Sequence, residues 1–325
     1  MSDKVFDVVL LNALPASGKS EVRNFMANID PEVLKRDFHI GENLQLDDFP
    51  YVHFMRRIDD ELEKMGYPRI FYQSTEKSFI NDWDWGTLIQ LLNDDFLDLI
   101  NRNVIKPDSV ARYLFNRIDN AALRTGIPNR LGILPEELIV KLSEVLEEDA
   151  NAILEGKLKE YPEDFTDKTI VIESARGGHD GASCPLEDPF GYQYSLRQYC
   201  PELLSRAVIL YIWVTPEESR RKNFERANPD DPGSNLFHGV PLSVMLNDYG
   251  TDDMAYLIEN SEVEDTVTVK AHGNTYHLPI GVFDNRVDQT SFLRKDKSEW
   301  TEKEISEMTE SIQKATDAMF KNYKK

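Results

Sequence analysis

Short apolar runs, separated by long stretches of helical periodicity, set the plan of this chain. Residues 5–11, 169–172 and 207–214 are near-continuous apolar runs of strand length, the pattern of strands buried on both faces. Two weaker runs extend the set: 32–35, ending at Arg36-Asp37, and 276–283. Residues 267–270 and 275–278 flank His272-Gly273-Asn274 and predict a hairpin that feeds the last strand. Between these runs, Tyr51, Met55, Ile58, Leu62 and Met65 recur at helical spacing, with Gly66 placed to end the helix. Further helices are predicted at 86–101, 109–125 and 135–159. Thr215-Pro216-Glu217-Glu218 opens another after a buried strand, and Thr301 with Glu304 opens a final one striped by Ile305, Met308, Ile312, Ala315 and Met319. The pattern predicts an α/β three-layer sandwich with a mainly parallel sheet. Its core comprises residues 1–50 and 166–290, 51–165 form a large helical insertion, and 291–325 add a C-terminal helix packed on the core. The insertion reads either as a separate helical domain or as a cap. The cap is preferred, because the segment leaves and re-enters beside strand ends, where ligands bind in such sheets.

The first strand runs into Asn12-Ala13-Leu14-Pro15-Ala16-Ser17-Gly18-Lys19-Ser20-Glu21, followed by a helical pattern with Val22, Phe25 and Met26 on one side. Strand, small-residue turn with Gly-Lys-Ser, then helix is the phosphate-binding loop arrangement, with Ala13 in place of its first glycine. Backbone amides from Ala16 to Ser20 are then placed to face a β-phosphate with the positive helix end behind them. Lys19 brings a mobile charge to the β- and γ-oxygens, and the Ser20 hydroxyl suits Mg²⁺. Nucleotide contacts are expected from Ala13, Pro15, Ala16, Ser17, Gly18, Lys19, Ser20 and Glu21. Alanine is tolerable at position 13 if the backbone there has an ordinary φ. The competing reading is a plain strand-to-helix turn.

Composition narrows the partners. The chain has 325 residues, 41% of them hydrophobic, and a net charge of −21. Such a field repels polyanions and disfavours nucleic acid, a strand end excepted. The two cysteines, Cys184 and Cys200, form no C-x-x-C pair and fit a reducing cytoplasm. Met1 to Lys4 lead straight into the first strand with no room for a signal segment, and no apolar stretch reaches the length of a membrane span.

A phosphate loop says only that a nucleotide binds, so other residues must choose the chemistry. Asp37 falls where a second parallel strand would end beside the loop, placed to take a proton from an attacking hydroxyl; a solvated loop aspartate or a cap is the alternative. Glu173 ends the strand 169–172 and is the second candidate for Mg²⁺. Arg176, in the glycine-rich stretch that follows, suits an anionic group of an acceptor. The stretch 46–57 combines carboxylates, aromatics and arginines at the entrance to the helical insertion. Asp48, His53 and Arg56 in it are candidates for lining the acceptor pocket, and a capped, salt-bridged surface helix is the alternative. Trp83 and Trp85 suit ring stacking or core packing.

The segments Leu14-Pro15-Ala16-Ser17-Gly18-Lys19-Ser20 and Val33-Leu34-Lys35-Arg36-Asp37-Phe38-His39 resemble P-loop kinases of the polynucleotide-kinase and zeta-toxin type. The likeness covers about 40 N-terminal residues, with a looser match around the arginine helix after residue 215. It implies a P-loop NTPase fold with Asp37 as general base. Arg220, Arg221 and Arg226 resemble the lid of nucleotide kinases, which would close with the cap to exclude water; a solvated helix balanced by Glu217, Glu218 and Glu225 is the alternative. Asn285 would border the base. The resulting expectation is a phosphotransferase using ATP (or GTP) and Mg²⁺ to modify a hydroxyl or phosphate of a small acceptor. A nucleotide-dependent switch or assembly ATPase, its helical region binding a protein partner, is the alternative.

Overall fold

The computed structural model describes residues 5–226 and 239–323. The elements run β1 (Val8–Asn12), α1 (Lys19–Ala27), α2 (Pro31–Phe38), β2 (Glu42–Asp47), α3 (Phe49–Lys64), α4 (Asp84–Asn101), α5 (Val110–Arg124), α6 (Glu136–Lys159) and β3 (Lys168–Ser174). They continue with α7 (Gly191–Gln198), α8 (Pro201–Leu204), β4 (Ala207–Trp213), α9 (Pro216–Arg226), α10 (Leu242–Asn247), α11 (Met254–Glu259), β5 (Thr266–Ala271), β6 (Asn274–Asp284) and α12 (Glu302–Asn322). One sheet of six strands has the order β2-β3-β1-β4-β6-β5. Every pairing is parallel except β5 with β6.

Alternate residues of each strand enter different cores. Val8 and Leu10 of β1, with Ile209 and Tyr211 of β4, face α4, α7 and α11. Val9 and Leu11, with Val208, Leu210 and Ile212, face α1, α2 and α12. Burial on both sides explains the near-continuous apolar runs. Helix α12 approaches β6 so closely that a Cβ at Gly281 would lie 2.1 Å from the carbonyl oxygen of Ala315. Its Thr301–Glu304 capping box is formed. Gly66 ends α3 with positive φ, and His272 and Gly273, both at positive φ, make the tight hairpin between β5 and β6.

Two elements differ from the sequence expectation. Residues 32–35 are not a strand: they lie in α2, where the Asp30 carboxylate caps the amides of Glu32 and Val33 and Pro31 takes the first turn. The second parallel strand is β2, an edge strand in which only Leu44 and Leu46 are buried. Asp30→Ala should cost about 1 kcal/mol in chemical denaturation, the usual worth of such a cap.

The helical region has its own core, built from Tyr51, Phe54 and Ile58 of α3 with Leu114, Ile118 and Leu142 of α5 and α6. Helix α4 belongs to both cores. Leu88 and Leu91 face the helical region, whereas Ile89, Leu92, Phe96 and Leu99 pack against Leu44 and Leu46 of β2. Among the described residues no helix is long and apolar enough to cross a membrane. Residues 1–4, read above as a start without a leader, lie outside the described residues.

Candidate active site

The chain moves from β1 to β2 and returns through β3 to β1's side, so a crevice opens beyond the carboxyl ends of these strands. The loop after β1 fills its floor. Gly18 caps α1 at φ 107°, and a Cβ there would lie 2.7 Å from the Thr290 hydroxyl. Ala16 also has positive φ, whereas Ala13 does not, which is why alanine is accepted at position 13. No side chain caps the first amides of α1. Lys19 folds back over the loop, its Nζ donating to the carbonyls of Leu14 (3.2 Å) and Ala13 (3.3 Å). The Ser17 hydroxyl donates to Leu14 O and tightens the turn.

The back of the loop is held from two elements. On α9, the Ser219 hydroxyl donates to Pro15 O at 2.7 Å. After β6, Asn285 Nδ2 donates to Ser17 O (2.8 Å) and to the Thr290 hydroxyl (3.0 Å). Fully buried Lys222 of α9 meets Asp288 at 2.8 Å, and Asp288 accepts from the amides of Thr290 and Ser291. Burial alone would raise the Asp288 pKa, but Lys222 holds it well below the usual carboxylate range.

A cavity of about 550 Å³ extends from Pro15, Ala16, Gly18, Lys19 and Ser20 across the ends of β2 and β3. At this junction Asp47 and Glu173 are register partners on adjacent strands. Arg23 of α1 reaches Glu173 at 2.6 Å and Asp47 at 3.9 Å, and also bonds Gln45. Burial, then the charges of Glu173 and Asp48, raise the Asp47 pKa. Asp48 lines the cavity and is held from behind by Arg176, 2.6 Å away and itself buried.

Beyond Asp47 the walls become aromatic, with Phe49, Tyr72, Phe79, Trp85 and Tyr249, and Asp248 faces the same space. Burial raises the Asp248 pKa to about 7, the Ser78 hydroxyl and Arg56 opposing and Asp82 adding to the rise. A carboxyl whose native pKa exceeds its unfolded value of 3.8 weakens folding as pH climbs between the two, and the effect is complete above 7. Asp248→Asn should therefore raise stability at pH 8, by up to roughly 4 kcal/mol, and leave it unchanged near pH 4. Thermal melts of parent and variant across that range check the sign.

Several sequence expectations need correction. Asp37 lies in the last turn of α2, at the opposite end of the sheet from the loop. The next segment is pinned there by Phe6 N donating to His39 O, and β1 then runs roughly 16 Å to the loop. Asp37 pairs with Arg36, which holds its carboxyl below the ordinary range, the reverse of a base. Glu21 faces away and binds Arg294 at 2.6 Å. His53 is exposed, while Arg56, on the same helix, does line the cavity. Arg221 is tied to Glu218 and Glu225 at the surface, and Arg220 pairs with Asp180 and Glu217. Neither lines the cavity. The side chain of Arg226 lies outside the described residues. Asn285 supports the loop from behind, fully buried. Trp85 forms cavity wall, whereas Trp83 is partly exposed.

Sequence reasoning missed Arg23, Tyr72, Phe79, Asp248 and Tyr249, and took Asp47 only as part of the stretch 46–57 beside the acceptor, without a role of its own. Asp47 had a signal: the alternation Asn43-Leu44-Gln45-Leu46 marks a one-sided strand that ends on it. No family model matches the chain, and no curated protein matches its sequence.

Proposed function

We propose that this protein is a P-loop phosphotransferase that moves the γ-phosphoryl group of ATP or GTP to a hydroxyl of a small acceptor. The observation that carries the reading is convergence on one cavity: the Lys19 loop, a carboxyl at the end of β2, and a compartment for a second molecule. The loop amides and Lys19 would hold the triphosphate at the start of α1. Asp47 replaces Asp37 as the base. It accepts the acceptor's proton as the acceptor oxygen bonds to the γ-phosphorus and the bond from that phosphorus to the β-phosphate oxygen breaks, releasing the nucleoside diphosphate. Arg23, rather than the arginines of α9, neutralises charge at the junction.

The donors at this junction suit Mg²⁺. Ser20 and Glu173 offer hard oxygen atoms beside the loop. That is the pattern for a cation held by one or two side chains together with phosphate oxygens. When bound through Ser20 and Glu173, Mg²⁺ supplies charge neutralisation on the phosphates.

Calorimetry with Mg-ATP and with Mg-GTP should show uptake of a triphosphate, weakened at least tenfold by Lys19→Ala. Incubation with a metabolite panel should then yield an acceptor heavier by one phosphoryl group. Release of inorganic phosphate with no phosphorylated acceptor would instead point to an ATPase, and absence of triphosphate uptake would end the reading altogether.

A further inference from the structure

The compartment beyond Asp47 is built for a particular shape. Tyr72 stacks on Phe79 with ring centroids 4.4 Å apart; Phe79 meets Trp85 edge-on at 5.1 Å; Trp85 meets Tyr249 edge-on at 5.5 Å. The Arg56 guanidinium lies 3.8 Å from the Tyr72 ring centre and is fixed by the carbonyl of Thr75. Buried Asp59 holds this segment of the wall in place by accepting from the amides of Ile70, Phe71 and Tyr72. Val52, Val240 and Val244 complete an apolar lining.

Against this lining stand Tyr72 Oη, with no hydrogen-bond partner among the described residues, and the neighbouring Ser78 hydroxyl and Asp248 carboxyl, whose contact with each other leaves further polar capacity unmet. Their residues are 2%, 8% and 3% exposed, and Ser78, Tyr72 and Asp248 all line the cavity. Buried polar atoms left unpaired are costly, so a ligand that completes them gains affinity and specificity there. A carboxylate oxygen asks for an N–H donor or a cation, and an aromatic wall asks for a flat π-face. A polyhydroxylated sugar would leave most of its hydroxyls unmatched against valine and phenylalanine.

We propose that the acceptor is a planar nitrogen heterocycle carrying a hydroxylated arm, its ring against the Tyr72–Phe79–Trp85–Tyr249 wall and its N–H groups directed at Asp248. This assignment rests on the phosphotransferase reading for the word acceptor, but ring binding is measured separately. The probes are adenosine, guanosine, cytidine, uridine and pyridoxine, with glucose as the control that has no planar aromatic ring. Each is titrated with saturating Mg-ADP present, and tryptophan fluorescence and heat are recorded. At least one heterocycle should bind and quench fluorescence. Trp85→Phe should remove the quench, and Asp248→Asn should weaken binding tenfold or more without altering ADP uptake. Ser78→Ala, a milder change, gives a second reading if Asp248→Asn folds poorly, with a loss of threefold or more expected.

Binding of glucose in preference to every heterocycle, or binding of none of the probes, overturns the proposal. So does displacement of the heterocycle by ADP, which would make the compartment the seat of the donor's own base. A heterocycle that binds as described but is not phosphorylated when Mg-ATP or Mg-GTP replaces Mg-ADP upholds ring recognition and removes the phosphotransferase reading. Phosphorylated glucose without heterocycle binding does the opposite.

Discussion

Asp47→Asn should lower phosphoryl transfer by roughly 10²–10⁴-fold, the range for loss of a general base, while Asp37→Asn leaves it unchanged. The contrast follows from position. Asp47 sits at the end of β2 in the cavity beside Glu173, whereas Asp37 is paired with Arg36 at the far end of the sheet. Triphosphate affinity should not fall in Asp47→Asn, because the change removes a negative charge from a junction that also holds Glu173 and Asp48. The acid limb of the rate–pH profile should lie above the ordinary carboxylate range, since burial and those two neighbours raise the Asp47 pKa. Glu173→Gln should slow the reaction and raise the Mg²⁺ concentration needed for half-maximal rate. Stability gives an independent check. A raised native pKa means that the ionised Asp47 weakens folding at neutral pH, so Asp47→Asn should melt higher than the parent there. Retention of full transfer in Asp47→Asn would transfer the role to another group.

The second large effect lies behind the loop. Lys222 is fully buried, and its partner Asp288 organises Thr290, which touches Gly18 and Asn285. Lys222→Met would leave the Asp288 carboxylate without its cation. Breaking a buried pair in this way typically costs 3–5 kcal/mol; with Asp288 partly exposed, about 2–4 kcal/mol is expected by denaturant unfolding. The double variant Lys222→Met/Asp288→Asn removes both charges and should recover much of that loss. Triphosphate binding should weaken in the single variant beyond what stability explains, because Asn285 and Thr290 fix the carbonyl of Ser17 and the space around Gly18. A single variant with parental stability would show that the loop's support does not depend on this pair.

Much of the architecture was legible because burial on two faces writes itself as apolar runs. Strands β1, β3 and β4, the hairpin of β5 and β6, and the capping box of α12 all carried such local signals. Strand β2 did not. As an edge strand it buries only Leu44 and Leu46, and a short apolar segment upstream took its place in the reading. Asp30-Pro31 at the start of that segment is a helix-opening pair, and it was the information that should have decided the matter. The misplaced strand carried the base with it, from Asp47 to Asp37. The arginines of α9 misled for a different reason: their charges are satisfied locally by glutamates a turn away, which spacing in the sequence already allowed. The aromatic compartment was beyond local patterns, because Tyr72, Trp85 and Tyr249 come from segments far apart in the chain.

Helix α4 limits how the molecule can move. Swinging the helical region away from the sheet would expose Ile89, Leu92, Phe96 and Leu99, each fully buried. At about 1.5–3 kcal/mol per side chain, that exposure would cost roughly 6–12 kcal/mol, comparable to the whole stability of an ordinary domain. A cap that swings at this seam would therefore carry a heavy cost, and α4 stays with the sheet. The side of the chamber that α4 carries, Trp85, is thus cast when the chain folds, and a molecule that enters meets that part of the mould already set.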